Sequence, residues 1–420
     1  MKPRTLVLLA LACASAAIQV SALARGVQDD APPSFTASKL LDPAVLRGPH
    51  HRVEEAVRTE QYLHAFTVTS DYGTFEALGR SQLATRVSEV QAIAALEDVS
   101  KTEVFLEASG RAVVNVGKGA VSAVKDPAAT AKGIGSGIKR FGVNLGRRTQ
   151  RATESATGSD QPGPSSGENA AASTGNALLG VTSAMRRWAR KVGADPYTTN
   201  RVLRESLQSI AKVDAAGSIA TKVVVPIPGV VSITSGVGDL VWGRDPEEVR
   251  KVNEQRLREL GVADKDAKRF ASNGWFTLTW QTRLVAALHA ARVPGSADYV
   301  HTAAEAKAER EALFFVESAE LLADQHRRAP YKAVLQDSRA LVAVAASGQA
   351  DALLPIDWVP WTAESRAALD QMATRARREL KATRLRLVLT GRTSPAAAAA
   401  LPGLGWTVVE LPAAKPGSGA

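Results

Sequence analysis

Cysteine is nearly absent from this sequence, and aromatic residues are scarce. The single cysteine is Cys13, and phenylalanine, tryptophan and tyrosine together make up 5% of the 420 residues. Because residues 25–420 contain no cysteine, they offer no disulfide, no thiolate nucleophile and no cysteine metal ligand. Stability must then come from packing, and a chain of this length with 45% hydrophobic residues can bury a sizeable core.

Patterns that would identify a reaction are also missing. The glycines at 117 and 119 lack the third glycine of a dinucleotide-binding loop and follow a helical pattern. His301, Glu305 and Glu309 have the spacing of one helix face, which can hold a metal, but the surrounding charges favour a solvated face. We therefore predict no cofactor and no metal, and the sequence leaves any catalytic residue unknown.

The first 24 residues have the composition of a secretory signal peptide. Lys2 and Arg4 precede an uncharged run at residues 5–20, and residues 22–24 (Ala-Leu-Ala) supply a small-x-small cleavage site. We predict cleavage before Arg25 and an exported protein in the periplasm or outside the cell. Retention of this segment as a membrane anchor is the alternative.

Positive charge is concentrated at residues 111–151, which contain nine cations and one anion, Asp126. Five of the cations recur at intervals of seven among small, apolar and glycine residues, a pattern typical of an amphipathic segment on an anionic surface. Asp126 is a good N-cap and Pro127 is tolerated in a first turn, so we predict two helices joined there. We call residues 111–151 the basic stripe, and its predicted surface-binding residues are Arg111, Lys118, Lys125, Lys132, Lys139, Arg140, Arg147 and Arg148.

The formal net charge of +10 bears on the partner. Outside the cytoplasm, a basic protein meets anionic lipid headgroups, acidic envelope polymers or acidic proteins before it meets genomic DNA. A second basic run at residues 375–392 lacks the interleaved aromatic residues that stack on bases. We therefore expect anionic lipid or an acidic envelope polymer or protein as the partner and disfavour nucleic acid; the oligomeric state stays open.

Composition divides the chain into two units. Residues 152–176 consist mostly of small and polar residues, with too little aliphatic bulk to offset the entropy of ordering. The predicted fold is mainly α with small β elements (α+β), in two units joined by a disordered linker. The predicted segments are a signal peptide at 1–24, a flexible lead-in at 25–59, a β-hairpin with helices and the basic stripe at 60–151, the linker at 152–176, a mostly helical α+β domain with small C-terminal strands at 177–411, and a tail at 412–420.

The first unit combines a hairpin with a long helix. Aromatic and β-branched residues at 60–78 predict a β-hairpin whose turn lies at residues 71–73. Helical spacing follows at residues 81–106, with Ser81 as the predicted N-cap and with Glu89 and Glu97 on the polar side.

The second unit combines helices with short strands. Hydrophobic periodicity predicts helices at about 177–192, 200–213, 245–260, 264–272, 277–291, 298–328, 363–382 and 395–401, and strands at 332–335, 340–345, 351–356, 385–389 and 406–411. The uncharged run at 223–238 contains prolines that would break a spanning helix, so we interpret it as a buried connection.

Two groups in the second unit are candidates for a site. Trp358, Asp357 and Trp361 form a candidate ligand groove for a sugar or peptide, although tryptophans in a helical domain are usually core residues. Glu317 and Glu320 lie opposite an apolar helix side, which favours a solvated face over an acid–base pair.

Residues 62–76, followed by Asp126-Pro127 and Gly133, resemble a group of uncharacterised exported bacterial proteins. The resemblance covers only part of the chain. It implies export, and it brings no established activity that could be transferred.

Together these patterns predict an exported, non-enzymatic envelope protein that docks on an anionic membrane surface or acidic partner through the basic stripe. The alternative is a periplasmic hydrolase or sugar-processing enzyme with its site in the second unit, near Asp357 and its tryptophans or near Glu317 and Glu320. A deep pocket with convergent polar side chains would favour the enzyme, whereas scattered, solvated carboxylates would count against it.

Overall fold

The computed structural model describes residues 29–30, 33–60, 62–107, 182–217, 233 and 235–411. Five predicted segments therefore lie wholly or mostly outside the described residues: the signal peptide, the basic stripe, the linker, the uncharged run at 223–238 and the tail. In the described part, helices predominate and the strands form small sheets, which confirms the α+β class.

The first sheet is antiparallel. Its strands are β1 (Phe35–Thr36), β2 (Arg47–Gly48), β3 (His51–Val53), β4 (Ala56–Glu60), β5 (Leu63–Ser70) and β6 (Gly73–Leu78), and two short helices, α1 (Ala37–Leu40) and α2 (Pro43–Leu46), precede β2. Strand β5 is central, because β6 pairs along one side while β3 and β4 pair with its two halves on the other. The β5–β6 pair closes between Ser70 and Gly73, which confirms the predicted hairpin and its turn.

Residues 33–60 differ from the predicted flexible lead-in, because they contain β1 to β4. These strands are too short to be stable alone and depend on pairing with β5, as when Val53 pairs with Val68. Burial alternates along β3, where His51 and Val53 are buried and Arg52 is exposed. Three residues show no convincing periodicity by themselves, so the local pattern did not reveal the strand.

A long helix, α3 (Arg80–Ser100), packs against β5 and β6 and buries Leu83 and Ile93. Its N-cap residue is Gly79 and not the predicted Ser81, which lies in the first turn. Gly79 has a φ of 86°, a left-handed conformation that favours glycine, and it has no side chain with which to cap the helix. The first turn of α3 must therefore find partners for its amides elsewhere.

Glu89 and Glu97 are buried and do not form the predicted solvated side of α3. Glu89 is only 2% exposed and accepts hydrogen bonds from Arg86, Thr198 and Asn200. The last two residues belong to a segment more than a hundred positions away. Helical periodicity mislocated Glu89 because it takes no account of donors that arrive from another part of the chain.

Helices form the middle of the described chain: α4 (Ser183–Lys191), α5 (Arg201–Gly217), α6 (Ser235–Gly243), α7 (Pro246–Glu259), α8 (Asp264–Ser272), α9 (Leu278–Ala291), α10 (Ser296–Ala303) and α11 (Glu309–Arg328). The predicted helix at 298–328 is interrupted at 304–308, so His301, Glu305 and Glu309 do not share one helix face. Helices α4 to α6 share one hydrophobic cluster with α3 and the first sheet. Whether the segments before and after the linker fold as separate units stays a prediction.

The second sheet has the strand order β13-β11-β9-β8-β7. Its strands are β7 (Tyr331–Val334), β8 (Leu341–Ala345), β9 (Gln349–Leu354), β11 (Arg384–Leu389) and β13 (Trp406–Glu410), and the intervening elements are β10 (Trp358–Val359), α12 (Ala363–Glu379), β12 (Arg392–Thr393), α13 (Pro395–Ala400) and a 3-10 turn (Leu401–Leu404). These elements confirm the strands and helices predicted after residue 330. Strands β7 to β9 are antiparallel, whereas β9, β11 and β13 are parallel. The carboxyl ends of three strands therefore meet at one edge of the sheet.

Candidate ligand-binding site

A cavity of about 830 Å³ lies where three parts of the molecule meet. Its walls come from the first turn of α3, from α9 and α11, and from the residues that follow β9, β11 and β13. Pro355, Thr390 and Leu411 form this last group, one after each parallel strand. In sheets with parallel strands, ligands commonly bind outside the carboxyl ends, so the position of the cavity is itself informative.

Helix α11 forms the longest wall. Most of its cavity-lining residues recur every three or four positions along one face, and the full set is Arg310, Leu313, Phe314, Glu317, Glu320, Leu321, Ala323, Asp324 and Arg327. This face extends for about 26 Å, since each residue adds about 1.5 Å along the axis. Arginines stand at both ends, carboxylates lie between them, and apolar side chains fill the gaps.

The opposite wall, on α9, carries small side chains. Ala286, Ala287 and Ala290 line the cavity, and Arg283 donates two hydrogen bonds of 2.8 Å to Glu320. Protein interiors are otherwise close-packed, so a larger residue at an alanine position would fill the space. The cavity therefore exists partly because alanines on α9 leave space beside the long side chains of α11.

The first turns of α3 and α11 meet at one end of the cavity. Gln82 in α3 accepts a 2.6 Å hydrogen bond from the backbone nitrogen of Leu78 and donates one of 3.0 Å to Glu309, the first residue of α11. Helix N-termini carry partial positive charge, because their first amides have no intrahelical partners. Two such termini, with the guanidinium groups of Arg80 and Arg310, place positive charge at this end.

Asp357 is held at the same end by backbone groups. Its carboxylate accepts a 2.9 Å hydrogen bond from the backbone nitrogen of His64 and another from the backbone of Arg80. Gly391 permits the close packing, because a Cβ at that position would overlap the backbone of Asp357. Burial raises the pKa of Asp357, and the two hydrogen bonds and the Arg80 charge oppose that rise. Asp357 thus caps α3 from a distant segment and connects the two sheets.

Three buried polar atoms in the cavity wall have no hydrogen-bond partner among the described residues. They are Nε of Arg80, Nε of Arg310 and Oε1 of Glu317. Buried polar atoms in folded proteins are nearly always paired, because leaving one unpaired costs about 1–3 kcal/mol. Two donors and one acceptor in a single cavity form a pattern that a ligand with complementary groups would satisfy.

Burial also changes the acidity of Glu317. Removal from water raises the pKa of Glu317 to about 7, and the charges of Glu320 and Asp357 act in the same direction. The hydroxyl group of Ser81 and the charge of Arg283 oppose the rise. The carboxyl group therefore gains and loses its proton near neutral pH, as a general acid or base does.

The predicted groove residues separate in the structure. Asp357 lines the cavity, whereas neither Trp358 nor Trp361 does. Trp358 packs edge-on against Phe35 with ring centroids 5.1 Å apart. Trp361 is buried, and its backbone nitrogen donates a 2.6 Å hydrogen bond to Asp30. Every predicted residue of the basic stripe lies outside the described residues.

Glu317 and Glu320 are placed differently from the solvated face that the sequence favoured. Both line the cavity, and Glu320 is paired with a largely buried arginine, Arg283, whose side chain is 14% exposed. The reason is that α9 and the first turn of α3 cover this face of α11. Carboxylates that converge in a pocket are the observation that favours a ligand or substrate site.

Sequence reasoning missed the basic residues of the site. Arg80, Arg283 and Arg310 come from three separate helices, and no local pattern links them. A weak signal was present in α11, where Arg310, Phe314, Glu317 and Leu321 recur at helical spacing. That spacing shows which residues share a face, but only the packing of α3 and α9 shows that the face encloses a cavity.

Two further properties of the described residues bear on membranes and metals. None of the described helices is both long and apolar enough to cross a membrane. No three described His, Cys, Asp or Glu side chains are grouped to hold a metal ion. Of the three residues considered as metal ligands, His301 has its Nδ1 atom 3.0 Å from Oδ1 of Asp266.

Comparison with known proteins found no match among family models, curated proteins or solved structures.

Proposed function

We propose that this chain binds a small amphipathic anion in the cavity. The observation that carries the proposal is the pair of unpartnered Nε groups of Arg80 and Arg310 at the end where two helices begin. An anionic group there would accept hydrogen bonds from both guanidinium groups and would lie near the N-terminus of α11. Arginine suits this task because its planar donors match carboxylate and phosphate oxygens.

The remaining wall indicates the other half of the ligand. Leu63 and Leu78 from the first sheet, Leu313 and Phe314 from α11, and the α9 alanines are apolar. A volume of about 830 Å³ is within the range of cavities that enclose small organic ligands. The anionic group would therefore be attached to an apolar body.

Fluorescence titration with two dyes tests this proposal. The dye 8-anilinonaphthalene-1-sulfonate joins an apolar ring system to one anionic group, and N-phenyl-1-naphthylamine has similar rings without the anion. We expect the sulfonate dye to bind the wild-type protein, and Arg310→Ala to weaken that binding about tenfold or more, as loss of a charge-assisted hydrogen bond does. Binding of the neutral dye should be unchanged.

Arg378→Ala is the matched control, because Arg378 is exposed and does not line the cavity. Circular dichroism establishes that each variant is folded, since this sulfonate dye also binds loosely packed states. Equal binding of the sulfonate dye by the wild type and Arg310→Ala would contradict the proposal.

The hydrolase alternative is favoured by the carboxyl groups of Glu317, Glu320 and Asp324, which line the same cavity, and by the raised pKa of Glu317. A carboxyl group with a pKa of about 7 can donate a proton to a leaving group and recover it from water. Turnover of alkyl esters and alkyl glycosides, whose leaving groups need a proton, tests this role. We expect Glu317→Gln to lower kcat about a hundredfold or more, while Glu254→Gln on an exposed face of α7 leaves it unchanged. Turnover that survives Glu317→Gln would exclude Glu317 as the acid.

We also propose, from the sequence alone, that an exported form of the chain docks on anionic lipid through the basic stripe. Each lysine near an anionic membrane contributes about 1 kcal/mol, so reversing several should weaken binding strongly. The test is sedimentation with anionic liposomes of a variant in which Lys118, Lys125, Lys132 and Lys139 are changed to glutamate. A variant with arginine at the same four positions is the control, and unchanged binding of the glutamate variant would refute docking.

A further inference from the structure

We infer that the ligand carries a second polar group, a hydroxyl or ammonium donor that binds Glu317 while the anionic group binds Arg80 and Arg310. This inference rests on the proposed anion binding and adds the chemical class of the ligand: an ω-hydroxy or ω-amino acid with an apolar chain. It begins from the third unpartnered atom in the wall, Oε1 of Glu317.

The residues around Glu317 explain why this oxygen lacks a donor. Leu313 and Leu321 flank it on α11, and neither side chain can donate a hydrogen bond. The hydroxyl group of Ser81 bonds to the Glu317 carboxyl group but leaves Oε1 unpaired. The nearby guanidinium group of Arg283 uses its Nε and one terminal nitrogen on Glu320. A donor on the ligand would therefore complete the shell of Glu317.

The spacing along α11 sets the shape of the ligand. Arg310 and Glu317 are seven residues apart on the same face, which places their Cα atoms about 10 Å apart along the axis. Leu313 and Phe314 line the wall between them. An extended apolar chain with a polar group at each end would contact both charged side chains and the apolar residues between them.

The charge of Glu317 disfavours a second anion at its position. Glu320 is paired with Arg283 and Asp324 with Arg327, whereas Glu317 has no ion-pair partner among the described residues, so its carboxylate repels another negative group. A hydroxyl or ammonium group meets no such repulsion and gains a charge-assisted hydrogen bond. The arginines and Glu317 thus select groups of different chemistry.

Calorimetric titration of the full chain at pH 8 tests the inference with octanoate and 8-aminooctanoate. At this pH the carboxyl group of Glu317 is mostly ionised, because its pKa is about 7. We expect 8-aminooctanoate to bind about tenfold or more tightly than octanoate, as one charge-assisted hydrogen bond predicts.

Two variants separate this inference from the proposed function. Glu317→Gln should abolish the difference in affinity between 8-aminooctanoate and octanoate, whereas Glu254→Gln should keep that difference. Equal affinity of the wild type for octanoate and 8-aminooctanoate, or an advantage that survives Glu317→Gln, would overturn the inference and leave anion binding intact. Failure of both octanoate and 8-aminooctanoate to bind would overturn both proposals.

Discussion

Two carboxylates in this molecule, the buried Asp351 and the half-buried Glu317, differ in how their oxygens are bonded. Asp351 in β9 accepts hydrogen bonds of 3.0 and 2.5 Å from Arg386, one of 2.5 Å from the hydroxyl of Tyr331, and one of 3.2 Å from Gln349. Burial raises the pKa of Tyr331, and the hydrogen bond to Asp351 raises it further. The Tyr331 hydroxyl group therefore keeps its proton and donates a hydrogen bond to Asp351. Each oxygen of Asp351 is thus bonded within the fold.

Glu317 also lies near an arginine, yet its Oε1 has no partner in the described part of the chain. The difference is geometric, because Arg283 directs its donors to Glu320. A buried charge whose bonds are complete stabilises one arrangement of the chain. A buried charge whose bonds are incomplete lowers stability and is available to a ligand.

Neutralising each carboxylate should produce the largest contrast. Asp351→Asn leaves the guanidinium of Arg386 without its counter-ion inside the sheet, and we expect the free energy of unfolding to fall by about 3 kcal/mol. Glu317→Gln removes a buried charge with an unpaired oxygen, and we expect a loss below about 1 kcal/mol at pH 8, or a gain. Urea denaturation measures both, and equal losses would abolish the comparison.

The pH dependence of stability sharpens the comparison. Glu317 has a pKa of about 7 in the folded chain and an ordinary value of 4.5, so it contributes stability below about pH 4.5 that is lost as the pH rises through 7. His64 behaves oppositely, because burial lowers its pKa from 6.5 to about 4, and its contribution, present above about pH 6.5, is lost as the pH falls through 4. Each contribution is at most about 3 kcal/mol.

Glu317→Gln removes a contribution that falls with pH, so the free energy of unfolding should rise more steeply between pH 4.5 and 7. His64→Gln removes a contribution that rises with pH, so the free energy of unfolding should rise less steeply between pH 4 and 6.5. Burial also raises the pKa of Asp195 to about 6, so Asp195 makes a further contribution to the free energy of unfolding that falls as the pH rises. That contribution is present in both variants. Urea denaturation at a series of pH values measures the slopes. Slopes that both variants leave unaltered would show that neither group titrates as described.

Filling the cavity should have the smallest effect on stability. Ala286→Leu adds bulk opposite α11, and we expect it to weaken binding of the sulfonate dye about tenfold or more while the free energy of unfolding changes by less than about 1 kcal/mol. Ala368→Leu on the exposed side of α12 is the control. Dye binding that persists in Ala286→Leu would place the ligand elsewhere, and a large loss of stability would show that this wall is tightly packed.

Local patterns were sufficient for elements whose partners are close in sequence. The β5–β6 hairpin was predictable because its turn and both strands lie within residues 60–78, and the late strands were predictable because apolar runs alternate there with helical segments. Strands β1 to β4 were missed because their pairing, and not their composition, makes them strands. Glu89 was misplaced for the same reason, since two of its three donors come from beyond residue 195.

The candidate site shows the same division more sharply. Spacing along α11 placed Glu317 and Glu320 on one helix face, and the aspartate at 357 was identified as a candidate residue. Whether that face was solvated or enclosed depended on α3 and α9, which no pattern within α11 can report. The arginines were missed because an isolated arginine in a helix is ordinarily a surface residue.

By itself, the sequence determined the α+β class, the hairpin, the late strands and the approximate positions of most helices, because these depend on the periodicity of nearby residues. Only the tertiary structure decided that Asp357 caps α3, that three strands end at one edge, and that Glu317 meets Arg80 and Arg310 around a single cavity. Burial and hydrogen bonding depend on which distant segments come together. The fold therefore sets the pKa of a carboxyl group and decides whether its oxygens are hydrogen-bonded, whereas the sequence sets its position in the chain.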